Sequence, residues 1–463
     1  MTERILVAFQ GEGEGVEELT WGQVGFWQGM AITGQSETMG GIVPVPDGTT
    51  VEDAAETLRF VMSRHQALRT RLRFAGGKNP QQVCSSSGEV PLEIVDVGDA
   101  DPAEVAEAVQ KDYKERNFEY ETEWPVRMAV IRKDGVVTHA VAVYLHIALD
   151  AGGLAALTEE LFTRDPNTGE TPGPVTAVQP LEQARRQRTP AVLRQSEASL
   201  QYQDRVLRSA TPSRFGEPKY DVPRDFRQIR YRSPATLLAI RAIARRDGVN
   251  TSSALLGCFA VGLARFTGNN PVLAMLLVGN RFRPGFADSV SPLVQLSPYA
   301  IDVADVTVGE AILRARNNVL RAYKNAYYDP DRQDEMVDQI NADRGEEIDF
   351  SCFYNDRRQL DREQLDGTIA SAEEIRAAVP LGGYEWEFEP DMPTRKLFLN
   401  IDETADAIDF VMSNDLRYFS MDDMVTVARG MEAAAVDAAV EPLTPTGVHA
   451  ASAQKMLVDL PGA

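Results

Sequence analysis

Residues 136–149, VVTHAVAVYLHIAL, leave little choice of architecture. Branched side chains favour extended backbone, and the run starts after an Asp134-Gly135 turn and ends before the Gly152-Gly153 pair. A near-continuous apolar stretch of this kind fits a strand covered on both faces. Such a strand needs flanking layers, so helices must pack around it. Residues 51–64 supply one, with Val51, Ala55, Leu58, Val61 and Met62 on a single stripe and acids in the first turn, where the helix dipole favours them. LAALTEELF, directly after the glycine pair, supplies another. Thr20 is placed to cap a helix carrying Trp21, Val24 and Trp27. GGIVPVP, ALRTRLRF and VPLEIVDV read as shorter strands.

The second half repeats the mixture. Helices are expected at 234–246, ending at Gly248, and at 252–266, capped by Asn250 or Thr251 and stopped by Gly268. NPVLAMLLVGNR reads as an apolar strand ending on an arginine, and TVGEAILRARNNVLRAYKNAYY as a long helix with a basic face. KLFLNIDE and AIDFVMSND alternate around a turn, and Ser420 with Asp423 opens a last helix. Residues 164–178, dense in Pro, Gly, Thr and Asn, read as a linker. The expected class is α/β (α+β), with an N-terminal lobe over 1–170, a linker and connecting helix over 171–220, and a C-terminal lobe over 221–463.

Charge removes whole classes of function. Lys and Arg number 47 against 69 Asp and Glu, a net −22, and such a field repels nucleic acid and anionic membranes. Cys84, Cys258 and Cys352 are scattered and form no CxxC, so neither a disulfide framework nor a thiolate metal cage is expected. No apolar run approaches the roughly 18 residues of a membrane span. The opening MTERILVAFQGEGEG turns acidic and glycine-rich before any secretory core forms. The expectation is a cytoplasmic monomer in a reducing compartment.

Only four histidines occur, so each is informative. His146 ends the apolar run and Asp150 follows four residues later, before a glycine pair and a helix. A strand end opening onto a loop can hold a general base rigidly and still meet substrate. Two other readings stand beside it: a packed histidine with Asp150 as a plain helix cap, and a metal pair at i, i+4. GEGEG at 11–15 lacks the full dinucleotide spacing and carries Glu12 and Glu14, which would repel a pyrophosphate, so it reads as a flexible acidic loop. No G-x-S-x-G, P-loop or H-E-x-x-H is present.

Six segments occur in one order over nearly the whole chain: LTWGQVGFW, RHQALRTRL at 64–72, YLHIALDAGG at 144–153, LLVGNRFRPG at 276–285, SPLVQLSPYAIDV at 291–303 and LFLNIDETADAIDFVMSNDL. Together they resemble the condensation domains of nonribosomal peptide synthetases. The resemblance implies two chloramphenicol-acetyltransferase-like lobes in a V, with a central tunnel and segments near 350–395 crossing back to the first lobe. Where that family writes HHxxxDG, this chain has Leu145, His146, then Asp150 and Ala151, with Gly152 and Gly153 beyond. The resemblance makes His146 the catalytic residue, places Leu145, Ala151 and Gly152 along the tunnel, and gives Asp150 a structural role paired with an arginine. Arg64 is the motif-based partner, with Arg281 or Arg283 as further candidates.

The activity implied is a stand-alone condensation-type acyltransferase. It would join a carrier-protein-bound acyl thioester to an amine, an alcohol or a second carrier-bound substrate, forming amide or ester in a specialised-metabolite, antibiotic-type pathway. The alternative is a degenerate domain that docks carriers or tailoring enzymes. No resident cofactor or metal is implied, because the phosphopantetheine arm arrives on the carrier. PLGGYEW at 380–386 has Tyr384 where an attachment serine would stand, so substrates come in trans. Acidic carriers need basic ground, offered by Arg185, Arg186 and Arg188 or by the helix face with Arg314, Arg316, Arg321 and Lys324.

Overall fold

The computed structural model of the 463-residue chain describes residues 2–43, 45–164, 173–211, 213–358, 369–388 and 395–450. It divides into two compact units, Met1–Gln195 with Gly279–Gln295, and Ser196–Val278 with Leu296–Ala463.

In chain order the first unit contains β1 (Thr2–Gln10), β2 (Gly15–Glu18), α1 (Trp21–Thr33), β3 (Thr38–Val43), α2 (Val51–Arg64), β4 (Thr70–Arg73), β5 (Gln81–Cys84) and β6 (Ser87–Asp96). It continues with α3 (Pro102–Glu115), β7 (Val126–Lys133), β8 (Val136–Leu145), α4 (Ala151–Phe162) and α5 (Pro180–Gln187). Five strands form one sheet in the order β1-β6-β7-β8-β3, and β2-β5-β4 form a smaller one. β8 is the apolar run, and it lies between β7 and β3, with Val126 opposite Tyr144 and Thr38 opposite Leu145. Alternation along it serves two cores. Ala140, Ala142 and Tyr144 join Val7, Leu58, Met62 and Leu157, whereas Val141 and Val143 join Ala106, Tyr113 and Ile131. A strand with apolar neighbours on both faces has no reason to alternate with polar residues, hence the near-continuous run, which only Thr138 and His139 interrupt.

Local signals set the helix starts. Thr20 and Thr50 each form a capping box, with Gln23 and Asp53 respectively. The GEGEG segment is not the loose loop expected from its composition. Buried Arg69 donates from Nη1 to the carbonyls of Gly13 (2.7 Å) and Ser85 (2.6 Å) and also bonds the carbonyl of Glu12. A Cβ at Gly11 would stand 2.0 Å from the Ser63 carbonyl oxygen, so glycine lets this loop close on α2.

The second unit contains most of α6 (Pro190–Ser209), then β9 (Phe226–Ser233), α7 (Pro234–Asp247), α8 (Thr251–Thr267), β10 (Val272–Val278), β11 (Gln295–Ile301), α9 (Val308–Lys324) and α10 (Pro330–Arg344). It closes with β12 (Cys352–Asp356), α11 (Ala372–Ala378), β13 (Gly383–Phe388), β14 (Leu397–Glu403), β15 (Ile408–Asp415) and α12 (Met421–Val440). Its seven-stranded sheet runs β11-β10-β12-β14-β15-β9-β13. α7, α8, α9 and α12 contribute to its core through Ile240, Phe259, Ile312 and Met431. Asn250 caps α8 and Gly268 ends it in the left-handed conformation, as the sequence predicts.

The units are drawn differently from the boundaries expected. Gly279–Gln295 belongs to the first unit rather than to a lobe over 221–463, because its groups satisfy polar groups there. The Val178 N–H donates to the Gly285 carbonyl (2.9 Å), and Ser289 Oγ donates to the Val178 carbonyl (2.7 Å). The helix α5, expected in a linker, is packed in the first unit, where Gln187 accepts from the Trp21 N–H at 3.1 Å. Most of the linker expected at 164–178 lies outside the described residues. β12 and β13, within the stretch expected to cross back, are strands of the second unit's own sheet. No single helix among the described residues is long and apolar enough to cross a membrane.

Candidate active site

His146 follows the last residue of β8 in a turn. Its N–H donates to the Glu37 carbonyl at 2.8 Å, which fixes the backbone, and its ring stacks on Phe26 of α1 at 3.9 Å between centroids with 22° between planes. Nδ1 lies 3.0 Å from the Leu149 carbonyl oxygen. A carbonyl only accepts, so Nδ1 carries the hydrogen. Burial pushes the imidazole below the ordinary histidine value, against the charges of Glu37 and Asp150. The ring is therefore neutral at pH 7, with Nδ1 committed and Nε2 left as the nitrogen that can take a proton.

Asp150 does something different four residues on. It caps α4, accepting from the Gly153 N–H at 2.7 Å. Its Oδ1 also meets Arg281 Nη2 at 2.6 Å, and its Oδ2 accepts from the N–H groups of Leu293 (2.7 Å) and Val294 (3.1 Å). Arg281 Nη1 in turn donates to the Ser289 carbonyl at 2.8 Å. A carboxylate only 1% exposed has every oxygen bonded, as burial of charge requires. Gly152 makes this possible: a Cβ there would stand 2.0 Å from Arg281 Nε.

His146 and Asp150 thus diverge. One faces Phe26 and Leu149, the other Arg281 and the 293–294 backbone, and neither a His-Asp dyad nor a shared metal fits that arrangement. The plain-cap reading of Asp150 is true but incomplete.

The expected pairing of Asp150 with Arg64 is not found. Arg64 ends α2 and bonds Glu160 of α4, whose other oxygen lies 2.8 Å from Nε2 of buried His65. Proximity in the motif favoured Arg64, but a helix end held by Glu160 leaves Asp150 to Arg281. Arg283 bonds Asn280 Oδ1 at 3.1 Å. Two positions expected to line a channel take part in packing within the first unit. Leu145 is buried with Leu19, Val24, Met30, Leu72, Phe118 and Ile147, and Gly152 sits beneath Arg281. Ala151 is exposed in the first turn of α4 with ordinary helical backbone, so no glycine is required there.

Phe26, Glu37 and the 293–294 backbone have no mark in the sequence that ties them to His146 or Asp150. The Gly152-Gly153 pair does carry a signal, since paired glycines at a helix start announce a close approach. Of the basic clusters, Arg185, Arg186 and Arg188 are each paired, to Glu17, Glu182 and Glu18. Arg314 pairs with Glu310 at 2.8 Å, while Arg316 and Arg321 are exposed beside exposed Leu313 and Leu320.

A two-unit chloramphenicol-acetyltransferase-like α/β fold with a strand-end histidine four residues before a buried aspartate defines a class, and family comparison agrees. The family model described as Condensation domain matches residues 39–380, and the chain belongs to that family. A nonribosomal peptide synthetase, TES, of Alternaria alternata is 25% identical over 291 residues, 58% of this chain and 5% of that protein. The chain therefore spans only a small part of that relative's length. Among solved structures, the condensation domain of chain release from the enacyloxin polyketide synthase superposes with a TM-score of 0.69 at 18% identity, covering 97% of this chain and 86% of that one. The X-domain in complex with OxyB from teicoplanin biosynthesis gives 0.70 at 14% identity, covering 94% and 96%.

Proposed function

We propose that the chain is a condensation-type acyltransferase that joins a carrier-bound acyl thioester to an amine or alcohol, using His146. The observation that carries this reading is the state of that ring: neutral, with Nδ1–H spent on Leu149 and Nε2 free to accept. Attack of the acceptor on the thioester forms a C–N or C–O bond and breaks the C–S bond. The acceptor's proton passes to Nε2 and then to the departing thiolate. Holding both reactants together supplies much of the rate, and a fixed base adds to it. Asp150 acts as a positioning residue, because it anchors the start of α4 just after the His146 turn.

The departures from the family motif favour a second reading, a docking platform without turnover. Leu145 replaces a histidine and Ala151 a glycine. Both are structurally accommodated, so neither argues that His146 is disabled. The test is incubation with acyl-pantetheine thioesters and a panel of amines and alcohols, followed by mass spectrometry. Product that disappears in His146→Ala supports the enzyme. Carrier or partner binding without product in the parent supports the platform.

A further inference from the structure

Trp27, next in sequence to the phenylalanine that stacks on His146, serves another purpose. It lines a cavity of about 480 Å3 with Met30, Phe74, Phe118, Tyr120 and Glu121. The Trp27 ring stands 5.4 Å from Phe74 and edge-on to Tyr120 at 5.7 Å. Phe74 is 48% exposed at the rim. The walls are preformed: Tyr120 Oη shares a 2.9 Å hydrogen bond with Ser36 Oγ, and Asn117 Nδ2 donates to the Gly34 carbonyl at 3.0 Å. Glu119 and Glu121 also line the cavity, and among the described residues neither carboxylate has an ion pair. Arg73, the sequence neighbour of Phe74, is turned to Gln81 Oε1 at 2.7 Å.

The same unit holds a filled version of this arrangement. The Arg127 guanidinium lies 3.7 Å over the Phe118 ring while its Nε bonds Glu123 Oε1 at 2.7 Å, so a ring face and a carboxylate share one cation. Phe118 is itself the inner wall of the Trp27 cavity, and Arg71 bonds the Thr122 carbonyl at its edge, but among the described residues no cation of the protein lies over the Trp27, Phe74 or Tyr120 rings. We infer that the cavity binds a small organic cation, an alkylated ammonium ion seated against Trp27, Phe74 and Tyr120 with its charge balanced by Glu119 and Glu121. The volume suits a small molecule, and the chain's net −22 concentrates cations around it. The inference does not depend on whether His146 is catalytic.

Calorimetric titration of the full chain with choline tests it, beside the neutral isostere 3,3-dimethylbutan-1-ol and sodium chloride at matched ionic strength. Saturable choline binding is expected, with the alcohol about tenfold weaker or more. Phe74→Leu, at an exposed site that tolerates change, and Trp27→Leu should each weaken it on the order of tenfold. Glu119→Gln with Glu121→Gln should weaken it similarly and reduce its salt dependence, with melting curves confirming that each variant folds. Absence of saturable choline binding, equal binding of the alcohol, or unaltered affinity in folded Phe74→Leu or in the paired glutamine variant would overturn it.

Discussion

One carboxylate, Asp150, holds together Gly153, Arg281, Leu293 and Val294, so its removal should be costly in a way that removal of His146 is not. Asp150→Ala strands the Arg281 charge and uncaps α4, and a loss on the order of 3–5 kcal/mol is expected. His146→Ala removes one stacked ring and should cost roughly 1–2 kcal/mol while abolishing turnover. Melting curves of both variants beside the parent separate the two roles, and equal melting temperatures would refute the structural assignment of Asp150. Arg281→Gln and Arg64→Gln make a second pair. The first should destabilise by several kcal/mol and the second by about 1 kcal/mol or less, since Arg64 is a partly exposed ion pair. Gly152→Ala, driving a methyl into Arg281, should cost about 1–3 kcal/mol. The pH profile follows from the lowered His146 value: its basic form persists below the ordinary 6.5, so the rate should hold as pH falls through 6.5 and drop only at greater acidity. A rate that halves at 6.5 or above would contradict the buried, neutral ring.

Between elements, α2 and α4 are tied through Glu160, which receives both Arg64 and His65. Burial pushes the Glu160 carboxyl up, but those two contacts outweigh it and hold it below its ordinary 4.5. A depressed folded value means stability that is present above the ordinary value and lost as pH falls through the folded one. The melting temperature of Glu160→Gln should therefore lie below the parent's at pH 6 and converge on it below pH 4.5. Failure to converge on acidification would show that the carboxylate's charge is not what ties the helices. This contact was beyond the reach of the sequence, where side chains far apart in the chain have no local signal. Elements with a stripe were legible: β8 by its near-continuous apolar run, α2 by Val51, Ala55, Leu58 and Met62, and α8 and α12 by their caps. α10 was not, because PDRQDEMVDQINADR buries only Pro330 and Ile340 and so shows no apolar face. The core of the candidate site, His146 and Asp150, was visible from spacing and family motif. The choice among Arg64, Arg281 and Arg283 required the fold.

For the molecule as a whole, net charge and local charge pull apart. A field of −22 repels an acidic carrier, and the arginines of α5 with Arg188 are neutralised by Glu17, Glu182 and Glu18. The outer face of α9 keeps Arg316 and Arg321 exposed beside Leu313 and Leu320. If an acidic carrier is the partner, Arg316→Glu with Arg321→Glu should slow its association roughly three- to tenfold at low salt. Arg185→Glu with Arg188→Glu should have a smaller effect. Stopped-flow association rates across a salt series check this, and equal effects of the two pairs would remove α9 as the docking face.

The return of Gly279–Gln295 to the first unit bears on how the protein is made. Arg281 is 131 residues beyond the aspartate it holds, and the Leu293 amide 143 beyond. On the ribosome, the sheet around β8 can form early, yet α4 must wait with a half-satisfied carboxylate at its start until much of the second unit has emerged. Completion of the His146–Asp150 turn is therefore gated by translation well past it. A nascent chain arrested at residue 278 should keep α4 open to protease, and one arrested late enough to expose residue 295 should protect it. The gene cannot be divided between the two units without leaving Asp150 on one polypeptide and its arginine on the other.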